Sequence, residues 1–452
     1  MNNSSGPDRA PDPFSGTDPL SETDPFGDTE PFGTADPARL VEDIDLDPYL
    51  GRDGAPLGDP LTQPATIGTH TSLLAVLRDL LADPRFPDLF ARALRAADPD
   101  FRELFPRDAA PVLKQFVHAM TWALKATEDA RGDQTKTDEV VEFARHLGAD
   151  HHKLQLTARH HQQFGDALTR TLRHLAGPAW SDDLNRTLAT FYRVMSTALQ
   201  QGAAAAVGPA RVGATVVDVL RPTRDVAVVR LITDSVVDYL PGQYLSVLTP
   251  YGQGVWRRLS PSMPSNPARQ IEFHVREVPG GALSGALVRS VSAGDRWVLA
   301  RPLGLLEVDR SEPFRDVLMV AGGTGIAPLR CLLLDLMRYP DNPRVHLFYG
   351  ARFPGDLYDL PTLVDLAASA PWLTIQPVSE EDEDPWWAGP RQDLPRTLHH
   401  RQTGTLADAV TRWGSWADRQ VLVSGSPEML RATVRGMVAA GTPREHISFD
   451  RP

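Results

Sequence analysis

The chain has 452 residues, 42% of them hydrophobic, and a formal net charge of −12 at pH 7. This length predicts about three domains, and the acidic balance argues against sequence-independent nucleic-acid binding, which needs a basic surface. No apolar run approaches the roughly 20 residues that cross a membrane, and the acidic N-terminus is unlike a signal peptide, so we expect a cytoplasmic protein without a membrane partner.

Residues 1–69 carry an acidic, proline-rich repeat. An acidic residue precedes proline every six residues, at Asp12-Pro13, Asp18-Pro19, Asp24-Pro25, Glu30-Pro31 and Asp36-Pro37. This composition is too poor in apolar residues to bury a core and predicts a disordered tail. Two interpretations stay open: a plain spacer, or an arm whose spaced phenylalanines dock a partner at several points.

Residues 70–207 are predicted to form an all-α domain of six or seven helices. Apolar residues recur three and four apart, as at Leu73, Leu77 and Leu81, and strand patterns are absent. Further long helical runs cover Val112 to Ala126, His160 to Leu175 and Asp182 to Gln201.

At Arg211 the pattern changes to short β-branched runs separated by Gly and Pro. Residues 208–312 are therefore predicted to form an antiparallel β-barrel. From residue 313 to 452 strands alternate with helices, which predicts a parallel, doubly wound α/β domain. The predicted strands are Thr215–Val219, Val226–Leu231, Tyr244–Leu248, Ile271–Val275 and Arg296–Leu299, then Val317–Val320, Arg344–Tyr349, Leu373–Pro377 and Gln420–Val423.

A glycine-rich turn follows the first strand of the α/β domain. The stretch from Val317 to Asp335 reads as a buried strand, the turn Gly322-Gly323-Thr324-Gly325 and an amphipathic helix. Such a turn presents free backbone amides and a helix N-terminus to a pyrophosphate, although a plain strand-to-helix turn also favours glycine. Cys331, the only cysteine, falls on this helix and is predicted to be a small core residue.

The barrel resembles the flavin domain of the ferredoxin–NADP reductase family. Gly242-Gln243-Tyr244 matches the GQY strand, and Arg257-Arg258-Leu259-Ser260 matches the Arg-x-Tyr-Ser signature, with leucine in place of tyrosine. The resemblance implies that Arg257 binds the FAD pyrophosphate and that Ser260 reaches the flavin near N5. It also implies flavin contacts at Gln243, Tyr244, Leu259, His274 and Val275, and phosphate binding at Gly280, Gly281 and Ser284.

The α/β domain resembles the nicotinamide domain of the same family. Here Gly322, Gly323, Thr324 and Gly325 form the nicotinamide-nucleotide turn, and Ser424-Gly425-x-x-x-Met429 matches the family's Cys-Gly-x-x-x-Met site, with Ser424 replacing cysteine. The resemblance implies NAD(P)H as hydride donor. Arg352 is either a partner for a 2′-phosphate or a solvated arginine, and Phe449 is either an aromatic beside the flavin or a core residue of the last strand.

A helical domain placed before such a reductase resembles flavohaemoglobin. Phe105 matches the phenylalanine that wedges the haem, and Leu147-Gly148-Ala149-Asp150-His151 matches the stretch that carries the proximal haem ligand. Gly165 matches a helix start 14 residues further on, and this spacing selects His151 over His152 as the ligand of haem b. Taken singly, each histidine of this region also suits a surface or capping role, and together they could form a zinc site.

The distal positions depart from flavohaemoglobin. The tyrosine that donates to bound dioxygen falls near Ala91, beside Phe90, and the distal glutamine falls near Val112, with Gln115 one turn away. The proximal tyrosine and glutamate fall near His161 and Ala203. An apolar pocket stabilises iron-bound dioxygen poorly, which weakens the expectation of nitric oxide dioxygenation.

The resemblances lead to one expected function and two alternatives. We expect NAD(P)H to reduce FAD, FAD to reduce a haem on His151, and the haem to bind dioxygen and oxidise nitric oxide. The first alternative is a flavin reductase whose helical domain is a haem-poor sensory or interaction module. The second is an NAD(P)H diaphorase that serves a separate acceptor.

Overall fold

The computed structural model describes residues 72–97, 109–130, 133–304, 306–311, 313–386 and 400–449. The predicted tail of residues 1–69 and the predicted haem contact Phe105 lie outside the described residues. Between residues 72 and 205, the described ranges contain six α-helices. These are α1 (Leu73–Leu81), α2 (Phe86–Ala97), α3 (Ala110–Asp129), α4 (Gln134–His151), α5 (Ala158–Ala176) and α6 (Asp182–Ala205).

Side chains at the helix starts explain where three of these helices begin. Asp133 accepts hydrogen bonds from the amides of the first turn of α4, and Ser181 does the same for α6. Thr157 caps α5, and the ring of His160 returns a bond to the Thr157 amide. The helix therefore begins at Ala158, seven residues before Gly165, and the expected helix start at Gly165 is wrong.

Aromatic rings and close helix crossings form the interior of the helical domain. Phe86, Phe90 and Phe116 stack with ring centres 5.2–5.3 Å apart along the stack, and Phe164 meets Phe90 edge-on at 5.0 Å. Helix α4 packs backbone to backbone on α6, because Gly148 faces Leu199 and Gly202 faces Arg145 with no room for a Cβ. This contact fixes the position of the end of α4, where His151 lies.

The predicted antiparallel sheet follows, with the spatial order β4-β3-β6-β1-β2-β5. An antiparallel bridge between Pro261 and Phe273 brings its two edge strands together, and Trp297 is fully buried inside. A short helix, α7 (Ala282–Arg289), follows β5. The strands are β1 (Val212–Thr223), β2 (Val226–Thr233), β3 (Tyr244–Leu248), β4 (Trp256–Leu259), β5 (Gln270–Arg276) and β6 (Arg296–Leu303).

The last domain is the predicted parallel sheet, in the order β10-β9-β8-β7-β11-β12. Its strands are β7 (Val317–Gly322), β8 (Val345–Ala351), β9 (Leu373–Ser379), β10 (Gln402–Thr403), β11 (Gln420–Ser424) and β12 (Ile447–Ser448). Its helices are α8 (Ile326–Leu336), α9 (Leu360–Ser369), α10 (Leu406–Thr411) and α11 (Pro427–Ala439). The chain reverses its winding direction between β7 and β11, which places a crevice at their carboxyl ends.

Among the described helices, none combines the length and the apolar character needed to cross a bilayer.

Candidate active site

The carboxyl ends of β7 and β11 bring the predicted nicotinamide residues together. Ala321 pairs with Ser424 in the parallel ladder, so Gly322 and Gly425 emerge side by side. A Cβ on Gly322 would lie 2.8 Å from Cε of Met429, and a Cβ on Gly425 would overlap the same atom. Met429 therefore packs on two glycines that have no space for a side chain.

The glycine turn itself is pressed against β11. It forms a 3-10 turn over Gly323–Gly325, in which Gly323 has a φ of +54°. A Cβ on Gly325 would overlap the carbonyl oxygen of Ser424 and lie 2.7 Å from the amide nitrogen of Gly425. Helix α8 starts at the next residue, so the turn and the helix N-terminus can present amides to a coenzyme pyrophosphate.

A pocket opens between the two sheets beside this turn. It is lined by Gly323 and the exposed Arg352 of the α/β domain and by Arg276 at the end of β5. Arg276 pairs with Asp225 at 3.1 Å. Asp356 also lines the pocket, and its burial, together with the charge of Asp225, raises its pKa.

Sequence reasoning selected Arg352 but missed Arg276 and Asp356. Arg276 directly follows the His274-Val275 motif, which was the available signal. The pocket places arginines from both domains at the entrance of the crevice, where a coenzyme phosphate would be held.

Strand β4 carries the predicted flavin signature and has two different faces. Because side chains alternate along a strand, Arg257 and Leu259 share one face, and Trp256 and Arg258 share the other. Arg257 is exposed and donates a hydrogen bond to the Trp256 carbonyl at 3.2 Å, so its guanidinium can still bind a pyrophosphate. Ser260 follows directly, half-buried, at the end of the strand.

The turn before α7 has the second set of predicted flavin residues. Gly280 has a φ of +75°, and Gly281 is the N-cap of α7. The Ser284 hydroxyl accepts from the Val278 amide and donates to the Gly281 carbonyl, both at 3.0 Å. Ser284 thus closes the turn, and the helix start offers its amides to a phosphate. Together with exposed Arg257, this donor set fits the FAD pyrophosphate.

Three other predicted flavin residues have structural contacts of their own. Tyr244 is 3% exposed beneath the Arg258 guanidinium, 5.2 Å from its ring centre. Gln243 accepts a bond from the Leu240 amide at 2.9 Å. The His274 side chain is fully buried and bonds to Glu272 and Tyr358, so its ring is directed at the α/β domain, while its neighbour Val275 is a buried core residue.

Phe449 lies just after β12 and is 5% exposed. The guanidinium of Arg444 covers its ring at 4.9 Å from the centre. These contacts favour the core-residue interpretation over that of an aromatic beside the flavin.

His151 ends α4 in an environment that suits a metal ligand. Loss of water around the ring lowers the pKa of His151 to about 4, so the imidazole is neutral at physiological pH. The ring makes no hydrogen bond among the described residues. His161 is close enough to influence this pKa, and burial lowers its own pKa as well. The described part of the chain contains no group of three His, Cys, Asp or Glu side chains that could hold a metal ion, which contradicts the zinc alternative there.

The predicted distal positions provide no hydrogen-bond donor directed inward. Ala91 and Val112 are partly buried and apolar, and Phe90 is fully buried among the other phenylalanines. Gln115 is exposed, so it does not replace the missing distal glutamine.

The segment after His151 docks on the flavin strands. Lys153 is 8% exposed; its Nζ lies 2.6 Å from Asp150 Oδ1 and donates to Ser246 Oγ of β3 at 3.0 Å. Lys153 and Arg211 approach the Trp256 ring to 5.8 and 5.7 Å from its centre. Burial alone would raise the pKa of Asp150, but the charge of Lys153 lowers it, so this contact is an ion pair.

Comparisons with known proteins agree with this geometry. The oxidoreductase FAD-binding domain family matches residues 214–308, and the oxidoreductase NAD-binding domain family matches residues 319–435. The ferredoxin–NAD(P)(+) reductase CarAd of Metapseudomonas resinovorans is 32% identical over 240 residues, which cover 53% of this chain and 68% of that protein. The chain belongs to the ferredoxin–NAD(P)+ reductase family.

A second relative matches over a smaller share of its own length. The reductase component of propane 2-monooxygenase from Rhodococcus jostii (strain RHA1) is 28% identical over 232 residues, which span 51% of this chain and 60% of that protein. Residues 214–435 are therefore an FAD-binding and NAD-binding reductase module. Neither family match extends into the helical domain.

One solved structure extends further along the chain. The flavohemoglobin of Malassezia yamatoensis, with bound FAD and heme, aligns with 84% of this chain and 96% of its own, with a TM-score of 0.64 and 16% identity. At this identity the likeness shows a shared fold and supports no statement about haem or activity. The globin assignment of the helical domain stays a prediction.

Proposed function

We propose that this reductase passes electrons from NAD(P)H through FAD to a haem held by His151 in its own helical domain. The observation that carries the proposal is the docking of the segment after His151 onto β3 and β4. Lys153 joins Asp150 to Ser246, and Trp256 lies against Lys153 one residue before Arg257. The predicted flavin arginine and the predicted haem ligand thus belong to two contacting segments.

The chain's residues bind and align the reactants. Arg257 and the start of α7 hold the flavin pyrophosphate, and the glycine turn with Arg276 and Arg352 holds the coenzyme phosphates. Ser424 and Gly425 border the position of the nicotinamide beside Met429. FAD held there would supply the chemistry of accepting a hydride from the coenzyme and of passing its two electrons on singly.

His151 would hold the haem iron, because burial lowers the pKa of its imidazole to about 4 and keeps the ring neutral, and the ring makes no hydrogen bond among the described residues. Nitric oxide dioxygenation, expected from the flavohaemoglobin resemblance, is not part of this proposal. Ala91 and Val112 carry no donor for iron-bound dioxygen, and the relatives named above are reductases.

Absorbance spectroscopy tests the haem ligand. The purified protein should show a Soret band that shifts when NADH or NADPH is added without oxygen. The His151→Ala variant should lose the band, and the matched His152→Ala variant should keep it. Flavin bands alone in the wild type, or a Soret band that persists in His151→Ala, would refute the proposal.

A second function is favoured by the relatives, which are described as a ferredoxin reductase and a reductase component of an oxygenase. In that case the acceptor is a separate protein, and the helical domain is an interaction module. A wild type without haem that still reduces an added ferredoxin with NADH or NADPH would establish this alternative.

A further inference from the structure

A buried ionic network joins the flavin and nicotinamide domains, with Arg330 of α8 at its centre. The Arg330 side chain is 12% exposed, and its carboxylate partners Glu272 and Asp359 are each 6% exposed. Arg330 Nη1 donates to Asp359 Oδ1 at 2.8 Å within its own domain. Nε donates to the Ser262 carbonyl, and Nη2 donates to Ser262 Oγ, both at 3.1 Å, and to Glu272, all in the flavin domain.

Glu272 is the flavin-domain side of this network. Its carboxylate also accepts from Ser262 Oγ at 2.8 Å and from Arg230 Nε at 2.7 Å, and it lies 3.2 Å from His274 Nε2. Burial alone would raise the pKa of Glu272, but the hydrogen bond with His274 and the charge of Arg330 hold it well below its usual range. The carboxylate is therefore ionised whenever the two domains are in contact.

A second contact crosses the same boundary. His274 Nδ1 lies 2.8 Å from the hydroxyl of Tyr358, and the side chain of His274 is fully buried. Tyr358 directly precedes Asp359, which forms the ion pair with Arg330 inside the nicotinamide domain. Tyr358 and Arg330 of the nicotinamide domain thus contact two positions of β5, His274 and Glu272, which restricts rotation as well as translation.

The network lies directly beneath the coenzyme crevice. Helix α8 begins right after the glycine turn, and Arg330 is one turn into it. Strand β5 runs from Glu272 through His274 to Arg276, which reaches the pocket beside Gly323. A shift of the network would therefore move the coenzyme turn relative to the flavin strands.

We propose that Arg330 is a positioning residue that sets the distance between the nicotinamide and the flavin. A buried ion pair contributes little net stability, because the loss of hydration offsets the attraction, and in some proteins it fixes geometry instead. Hydride transfer depends steeply on that geometry, and a misplacement of about 1 Å can cost on the order of 100-fold in rate. This role concerns only electron entry, so it stands whether or not His151 binds haem.

The Arg330→Lys variant keeps the charge but cannot reach Ser262, Glu272 and Asp359 at once. We expect the rate of flavin reduction in stopped-flow experiments to fall about 10- to 100-fold, with flavin content and coenzyme KM near wild type. The steady-state isotope effect with C4-deuterated coenzyme should rise, because hydride transfer becomes the slow step. The matched control is Arg338→Lys, just after the same helix, whose side chain is 65% exposed.

Amide hydrogen exchange of the flavin-free protein gives a readout that does not depend on activity. Exchange should accelerate in β5 and at Tyr358 and Asp359 in Arg330→Lys, and not in Arg338→Lys. The Ser262→Ala variant, which carries no charge change, decides the matter if Arg330→Lys does not fold. A wild-type reduction rate in a folded, flavin-loaded Arg330→Lys or Ser262→Ala protein, or a loss that merely follows flavin content, would overturn the proposal.

Discussion

Substitution of Gly325 by alanine should damage coenzyme binding through backbone sterics alone. The new Cβ would lie 2.5 Å from the carbonyl carbon of Ser424, which is 0.5 Å short of the 3.0 Å that real Cβ atoms keep. The opposing atoms belong to the backbone, so the end of β11 must move away from the turn by at least about half an ångström. Overpacking of this kind costs roughly 1–3 kcal/mol in the free energy of unfolding.

The same displacement separates Ser424 from the glycine turn, between which the nicotinamide is proposed to bind. We expect kcat/KM for NADH or NADPH to fall on the order of 10-fold, with flavin content unchanged. Stopped-flow flavin reduction and urea unfolding measure the two effects. Gly436→Ala in α11 is the matched control, since its Cβ would meet Thr411 Cγ2 at 3.2 Å and no backbone. A Gly325→Ala protein with wild-type coenzyme kinetics would refute the steric argument.

Two further predictions concern the predicted flavin arginine and a partly buried histidine. Arg257→Ala should weaken FAD binding about 10- to 100-fold, because a hydrogen bond to a charged group contributes roughly 1.5–3 kcal/mol. Equilibrium dialysis measures this affinity, and an unchanged value would contradict the prediction. Burial lowers the pKa of His346 from 6.5 to about 4, so the unfolded chain binds its proton first as pH falls, and part of the stability is lost between about pH 6.5 and 4. His346→Phe should remove that part of the acid-induced loss in chemical unfolding, and an unchanged pH dependence would show that His346 is not its source.

Residues whose positions follow from the spacing of motifs along the chain could be predicted from the sequence. The glycine turn, Ser424 and Met429 meet because strand ends of a parallel sheet lie at one edge, and the spacing of the motifs encodes that edge. Arg330 and Glu272 could not be predicted in this way. They are 58 residues apart in different domains, and a buried arginine has no sequence mark that separates it from a surface one.

Two histidines, His160 and His274, have structural roles that their sequence motifs did not predict. Helix α5 begins at Ala158, two residues before the predicted run from His160, and its capping box uses His160 where glutamate or glutamine is usual. His274 was expected to contact the flavin, but its ring belongs to the contact with Tyr358. In both cases a histidine makes a structural hydrogen bond that its position in a motif does not reveal.

The short stretch of residues 256–262 belongs to the flavin domain and contacts both other domains. Trp256 contacts the helical domain, Arg257 to Ser260 form the predicted flavin signature, and Ser262 binds Arg330 of the nicotinamide domain. Because side chains alternate along β4, a slip of one residue would exchange the faces of Trp256 and Arg257 and disrupt the helical contact and the flavin site together. In the proposed route, the register of this edge strand would therefore affect the flavin site and the contact with the helical domain together, while Ser262 joins the segment after β4 to the nicotinamide domain.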